Sequence, residues 1–400
     1  MPARHTRAEY DGMLRAVRLA GERLGRTGAN PTVGCVLLDR DQRVVGEGCH
    51  ERDGEPHAEI MALAAAGGRV EGGTALVTLE PCDHTGRTGP CTAALRAAGV
   101  TRVVYAVADP FPAAAGGAAT LAAAGVGVVG GLLAAEAFWA NRFWLTNVTQ
   151  ARPWVTWKFG ATLDGRIAAA DGTSRWITSE AARTDAHRLR ALHQAILVGA
   201  GTVRADDPHL GVRHGVDGPA PTRIVVASGR TSIPIDARVF DGSARTVLVL
   251  PDTTDAGDLT VQGRNVTVPT GVEVLQVKAT PGGTVAPDAL LSGLFDLGIR
   301  SVLLEGGPVT ASRFLAAGRV DEIVAYLAPT LLGAGPAAVA DLGVRTLSDA
   351  PGWAFRACAV VGPDLRVSAT PHPTAGPSTD QAHQGSVLEG PTRETGRWLP

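Results

Sequence analysis

The stretches "PHAEI" (Pro56–Ile60) and "LEPCDHTGRTGPC" (Leu79–Cys91) decide how the first part of this chain folds. His57 and Glu59 stand two positions apart, and Cys82 and Cys91 follow with eight residues between them. The first stretch opens "HAEIMALAAAG", an apolar run of helical length that stops at glycine. The second begins where the β-rich run "TALVTLE" ends, and its last cysteine opens a further helical run, "CTAALRAAG". Upstream, "AEYDGMLRAVRLAGERLG" spaces Met13, Val17, Ala20 and Leu24 on one helical face, and "TVGCVLLD" and "RVVGEG" read as a hairpin. Downstream, "RVVYAVA" is another strand. Strands alternating with helices of about ten residues predict a mostly parallel sheet layered with helices.

A disulfide is a poor account of the cysteines. There are five (Cys35, Cys49, Cys82, Cys91 and Cys358), an odd number in a long chain. Two of them could be buried core thiols, and a lone His-x-Glu is commonly a surface pair. A structural zinc fits three ligands badly, because structural sites are usually closed by four. A catalytic zinc fits the ordered set. His57, Cys82 and Cys91 are ligands that leave a fourth position for water, and Glu59 is a general acid/base that does not touch the metal. Pro-Cys puts one thiolate after a strand, and Cys91 lies at a helix start whose dipole favours the second. Deaminases of cytidine and of tRNA adenosine typically have two residues between these cysteines. Here the insert "DHTGRTGP" carries His84, Arg87 and Thr88, which suit a phosphate or a polar pyrimidine edge.

The aromatic-rich "AFWANRFWLTNVTQARP" leads to a new series of strands and helices, which places a domain boundary near Thr149. The second part has no clean dinucleotide fingerprint: "GAGTVRAD" has Arg204 where the third glycine would stand. Gly-rich turns after strands, "FGATLDGR", "VGAGTVRADDP" and "LEGGPVTASRF", still suit phosphate cradling, with Gly306 and Gly307 opening a helix. Such glycines also close ordinary tight turns. From Pro371 to Pro400 the chain is too poor in apolar residues to order itself and reads as a tail.

The motifs "NPTVGCV", "HERDGEPHAEI" and "TLEPCDHTGRTGPC" resemble the deaminase half of the bifunctional riboflavin-biosynthesis deaminase/reductase family. "KFGATLDGRIA", "SRWITSEAAR", "LVGAGTVRADDPHL" and "LLEGGP" resemble its reductase half, in order and spacing. The resemblance covers about Ala8 to Ser368. It implies an N-terminal cytidine deaminase-like α/β/α domain (1–149) and a C-terminal dihydrofolate reductase-like α/β domain (150–370), with 371–400 as the tail. It implies zinc and NADPH as cofactors, and a pyrimidine ribose-phosphate that is first deaminated and then reduced from ribosyl to ribityl. For the deaminase it implies substrate contacts at Asn30, His50 and His84. For the reductase it implies NADPH contacts at Ala161, Trp176, Thr202, Asp206, Ser228 and the Gly307 segment, and substrate contacts at Lys158, Ser174, Arg190, Leu210, Arg213 and Glu305. Guanidinium binds phosphate in a bidentate manner, so Arg190 and Arg213 make natural clamps. Without the resemblance they read as a helix-face and a loop charge, and Trp176 as core. One departure is the run Asp109-Pro110-Phe111-Pro112, where the family often has Asn at the position of Phe111.

Composition limits the partners. Four hundred residues favour two domains, and the 45% hydrophobic and 19% charged shares are those of a globular enzyme. A net charge of −2 without blocks of like charge argues against nucleic acid. That and the longer cysteine spacing disfavour the competing reading, a zinc nucleoside or tRNA deaminase with a non-catalytic C-terminal binding or dimerisation domain. No secretory leader and no run of 18 apolar residues appear, so a cytoplasmic protein with no membrane partner is expected. A homo-oligomer is expected as well, as is common among such enzymes.

Overall fold

The computed structural model describes residues 5–85, 89–227, 233–253, 260–261, 264–265 and 268–372. Helix α1 (Arg7–Gly21) starts in a capping box: Glu9 N donates to Thr6 Oγ1 (3.1 Å), and Thr6 N donates to Glu9 Oε2 (2.9 Å). Then come β1 (Gly34–Leu38), β2 (Val44–Cys49), α2 (Ala58–Ala66), β3 (Thr74–Leu79), α3 (Cys91–Ala97), β4 (Arg102–Val107), α4 (Gly117–Ala123) and β5 (Gly127–Gly130). The sheet order is β2-β1-β3-β4-β5. Strand β1 is antiparallel to both neighbours, and β3, β4 and β5 run parallel.

The two faces of β1 are sorted by its period of two. Cys35 and Leu37 pack with Ala58, Ala62 and Ala66 of α2, whereas Val36 and Leu38 pack with Met13 and Ala16 of α1. Helices thus cover both faces. The small residues of β2 bring α2 unusually close: a Cβ on Gly48 would strike the Ala58 carbonyl, and one on Gly46 the Ala62 carbonyl. That approach presses the start of α2, where His57 and Glu59 lie, against the sheet.

The aromatic-rich stretch folds as α5 (Ala134–Ala140) and α6 (Arg142–Gln150), and β6 (Trp154–Thr162) then opens a second sheet. Next are α7 (Glu180–Leu192), β7 (Ala195–Gly199), α8 (Ala200–Asp206), β8 (Thr222–Val226), β9 (Thr246–Pro251), the short β10 (Thr260–Val261) and β11 (Arg264–Asn265), and β12 (Val272–Val277). The chain continues through α9 (Pro287–Asp296), β13 (Ser301–Leu304), α10 (Pro308–Ala316), β14 (Glu322–Ala328), β15 (Trp353–Val361) and β16 (Asp364–Pro371). The order is β12-β9-β8-β7-β13-β6-β14-β16-β15, parallel as far as β14, with β16 antiparallel to both its neighbours.

Two features depart from the sequence expectations. "AGTVRAD", expected as part of a Gly-rich turn, is helix α8. None of β12, β15 and β16 is expected from the sequence; β15 is exposed along most of its length, so no buried face imposes an alternation on it.

The halves meet at a polar and aromatic joint. Asn147 Nδ2 of the first half donates to the Arg300 carbonyl of the second (3.0 Å). Trp154 packs with Leu24 and Phe143.

Candidate active sites

His57 caps α2 with extended backbone, so its ring leaves the helix towards the loop after β3. Cys82 lies in that loop, and Cys91 is the first residue of α3. His57 Nδ1 is 3.3 Å from Cys91 Sγ and 3.5 Å from Cys82 Sγ, and the three donor atoms lie within 4.8 Å of one another. Tetrahedral zinc with typical Zn–N and Zn–S bonds separates its nitrogen and sulfur ligands by about 3.6 Å, so the donor set fits zinc in spacing and in chemistry.

Hydrogen bonding from Cys91 and His57 pushes the Cys82 thiol down to about 4, whereas the bond to Cys82, together with burial, pushes Cys91 up. Without metal the proton shared by the two sulfurs stays on Cys91, and a bound zinc would hold both as thiolates. Burial pushes the Glu59 carboxyl up to about 7. That value suits a group that must take and return a proton near neutrality.

A cavity of about 370 Å³ opens over these residues. Glu59, His57 and Cys82 line it, as do Asn30, His50 and His84, so the predicted deaminase residues are brought together. His50 Nδ1 donates to the Pro56 carbonyl (3.2 Å), which leaves Nε2 to accept from Asn30 Nδ2 (3.4 Å). His84 Nδ1 is buried without a hydrogen-bond partner among the described residues. Arg87 and Thr88 lie outside the described residues. Phe111 and Trp144 also line the cavity, so this chain sets a ring where the resemblance suggests an amide.

Glu80 was not anticipated. It accepts from Asp109 N (3.1 Å) and Ala118 N (2.9 Å), which ties the Phe111 loop to the strand leading to Cys82. Its place beside Pro81-Cys82 at a strand end is the only hint in the sequence.

In the second half a cavity of about 720 Å³ adjoins one of about 250 Å³. Lys158, Ser174, Trp176, Arg190 and Arg213 line both, and Thr202, Asp206, Leu210 and Glu305 line the larger. Trp176 is not core: it is 69% exposed, with the Arg183 guanidinium 4.3 Å over its ring. Arg183, like Arg175 and Arg238, lines the larger cavity without being foreseen. This cationic wall and volume fit phosphorylated ligands such as NADPH and a sugar phosphate.

Three other predicted residues stand apart. Ala161 is fully buried within β6 and lines neither cavity. Gly307 caps α10, but its N–H donates to Thr202 Oγ1 (2.9 Å), so it is not the free anion-binding donor expected. Ser228 lies outside the described residues.

Glu305, directly after β13, joins two cations. Arg190 donates from Nε and Nη2 to its two oxygens (2.7 and 2.8 Å), and Lys158 Nζ is 3.1 Å from Oε2. Burial alone would raise this carboxyl, but Arg190 and Lys158 outweigh it and hold it well below the usual carboxylate range. A depressed native value stabilises the fold above the unfolded value of about 4.3, and that contribution disappears as pH falls through the native value. Glu305→Gln, which leaves two half-buried cations without their carboxylate, is expected to destabilise the second half by about 3 kcal/mol at neutral pH. Denaturant titration of parent and variant checks this, with the gap narrowing below about pH 4.

Comparison with known proteins comes to the same two halves. The family model described as the cytidine and deoxycytidylate deaminase zinc-binding region matches residues 8–107. The one described as the RibD C-terminal domain matches residues 153–367. The riboflavin biosynthesis protein RibD of Mycobacterium tuberculosis (strain H37Rv) is 44% identical over 349 residues, 86% of this chain and 92% of that protein. RibD of Escherichia coli K12 is 40% identical over 384 residues, 88% of this chain and 96% of the relative. A solved diaminohydroxyphosphoribosylaminopyrimidine deaminase/5-amino-6-(5-phosphoribosylamino)uracil reductase from Thermotoga maritima superposes with a TM-score of 0.77 at 32% identity, over 91% of this chain and 99% of its own. Acinetobacter baumannii RibD gives 0.76 at 35% identity, over 92% and 99%.

Proposed function

The chain belongs to the RibD family of riboflavin biosynthesis proteins, and we therefore propose that it carries out two successive reactions on one pyrimidine ribose-phosphate. The first half hydrolyses the ring amine of 2,5-diamino-6-(5-phosphoribosylamino)pyrimidin-4-one, releasing ammonia. The second reduces the ribosyl chain to give 5-amino-6-(5-phosphoribitylamino)uracil. The observation that carries the reading is the His57, Cys82 and Cys91 cluster beside a buried Glu59.

When bound by His57, Cys82 and Cys91, zinc supplies Lewis acidity to the site. Glu59 takes a proton from the attacking water and delivers it to the departing amine, so that water and the aminated ring give the carbonyl and ammonia. Asn30, His50 and His84 offer donors and acceptors along the cavity wall to orient the pyrimidine. Phe111 and Trp144 add apolar surface for its faces.

In the second half NADPH supplies the hydride. Trp176, Thr202 and Asp206 line the space we assign to the cofactor, with the Ala161, Ser228 and Gly307 segments proposed around it on resemblance alone. Ser174, Leu210 and Arg213 bound the substrate end. Arg190 is committed to Glu305 and, through Nη1, to the Gly211 carbonyl (2.9 Å), so its part is to hold Glu305 and the loop. Lys158, fixed by Glu305, keeps further N–H donors for the sugar oxygens. Arg213 makes no ion pair among the described residues, and we assign it to the phosphate. The absent basic stripe and the cavity-sized sites support a small-molecule substrate rather than nucleic acid.

No described helix is long and apolar enough to cross a membrane. A cytoplasmic setting is supported by the five free cysteines. A homo-oligomer is supported by β15, which among the described residues ends the second sheet as an edge strand, with Phe355 and Val360 78% and 76% exposed.

Incubation with the diaminopyrimidine phosphate tests the proposal. Without NADPH it should yield ammonia and the ribosyl product only; with NADPH the ribityl product should follow, one cofactor oxidised per product. Ammonia release without NADPH oxidation on the supplied intermediate would reduce the second half to a binding or dimerising domain.

A further inference from the structure

The loop that follows α8 carries Leu210 and Arg213 to the larger cavity. Three of its non-glycine residues, Asp207, Leu210 and His214, have φ of 41°, 56° and 61°. That left-handed backbone is unfavourable for side chains with a Cβ, so local preference does not hold the loop in shape. Two side chains from one face of α7 hold it instead. Arg190 Nη1 donates to the Gly211 carbonyl (2.9 Å), and His187 Nδ1 accepts from Arg213 N (2.8 Å). His187 and Arg190 are three residues apart, so they rise side by side from the helix.

An imidazole that accepts at Nδ1 must be neutral, with its hydrogen on Nε2. His187 is 6% exposed, and its ring lies 4.7 Å from that of His214, centroid to centroid. Burial, then Arg190 and His214, push it down to about 3, against the opposing pull of Glu305. It therefore remains an acceptor throughout the neutral range. The cation whose backbone it holds, Arg213, makes no ion pair among the described residues, whereas Arg190 is bound to Glu305.

We propose that His187 is a positioning residue of the reductase site: its Nδ1 fixes the backbone of Arg213 and so aims that guanidinium at the substrate phosphate. The proposal rests on the assignment of Arg213 to the phosphate made above. Removing the acceptor leaves the Arg213 N–H without this partner and releases the loop at the residue that meets the ligand. The expected defect is in substrate binding rather than in hydride transfer.

The test uses the full chain, NADPH and 5-amino-6-(5-phosphoribosylamino)uracil. His187→Leu should raise KM for this substrate about tenfold while kcat stays within about twofold. His187→Asn, whose Oδ1 can take the place of Nδ1, should stay within about threefold of the parent in KM. Arg213→Ala should raise KM strongly, and His187→Leu should add little in that background, because both act on one contact. Ammonia release by the first half should be unchanged in every variant, and the retained kcat for reduction reports that the second half is folded. A parental KM in His187→Leu, equal defects in the Leu and Asn variants, a loss confined to kcat, or full additivity with Arg213→Ala would each overturn the role of His187 while leaving Arg213 its own. A parental KM in Arg213→Ala would overturn the phosphate assignment and this inference with it.

Discussion

Glu59→Gln is expected to lower kcat for deamination by about a thousandfold while leaving NADPH-dependent reduction of supplied intermediate at the parental rate. The substitution keeps the shape of the side chain and removes its capacity to carry a proton. Glu59 lines the cavity beside the metal-ligand cluster and is 4% exposed, so bulk water cannot readily substitute for it. The two other carboxyls that line the cavity among the described residues do not duplicate it. Glu80 is bound to Asp109 N and Ala118 N, and Asp109 accepts from Phe111 N (2.8 Å). Ammonia release and NADPH oxidation, followed on one preparation, check the split. Loss of both would mean that the halves depend on each other for folding or that Glu59 is misassigned.

The second large effect is expected from Cys91→Ala. With only His57 and Cys82 left, the variant should retain almost none of the metal held by the parent, and ammonia release should fall to background. Because bound metal stabilises the fold that binds it, the first half should also unfold at lower temperature than the parent and lose its response to added zinc. The second half, with its own sheet and core clusters, should keep its transition and its activity on supplied intermediate. Elemental analysis and a two-transition melting curve read these outcomes together.

The metal site was legible in advance because its chemistry needs particular residue types at short range. His57 and Glu59 share one helix start, and the cysteines flank one loop. The alternating pattern of strand and helix likewise announced both sheets, since β1, β3, β7 and β13 are buried along their whole length. Helix α8 was hidden because "AGTVRAD" carries too few apolar residues for a helical period. The hairpin β15–β16 was hidden because much of β15 faces outward. The bonds of Arg190 to Glu305 span 115 residues, and those of Glu80 reach across a turn of the fold; no local pattern marks such partners. Trp176 shows the opposite error. Aromatic residues usually seek the core, but this one stands at a cavity mouth under a guanidinium, a placement that composition cannot separate from burial.

Zinc dependence of the first reaction is the claim on which the rest stands, and one measurement reaches it directly. Metal content and ammonia release are determined on the same preparation before dialysis against a chelator, after it, and after zinc is restored. The expected result is about one zinc per chain, ammonia release that disappears with the metal and returns with it, and reduction of supplied intermediate that never changes. Full deamination by metal-free protein would contradict the account.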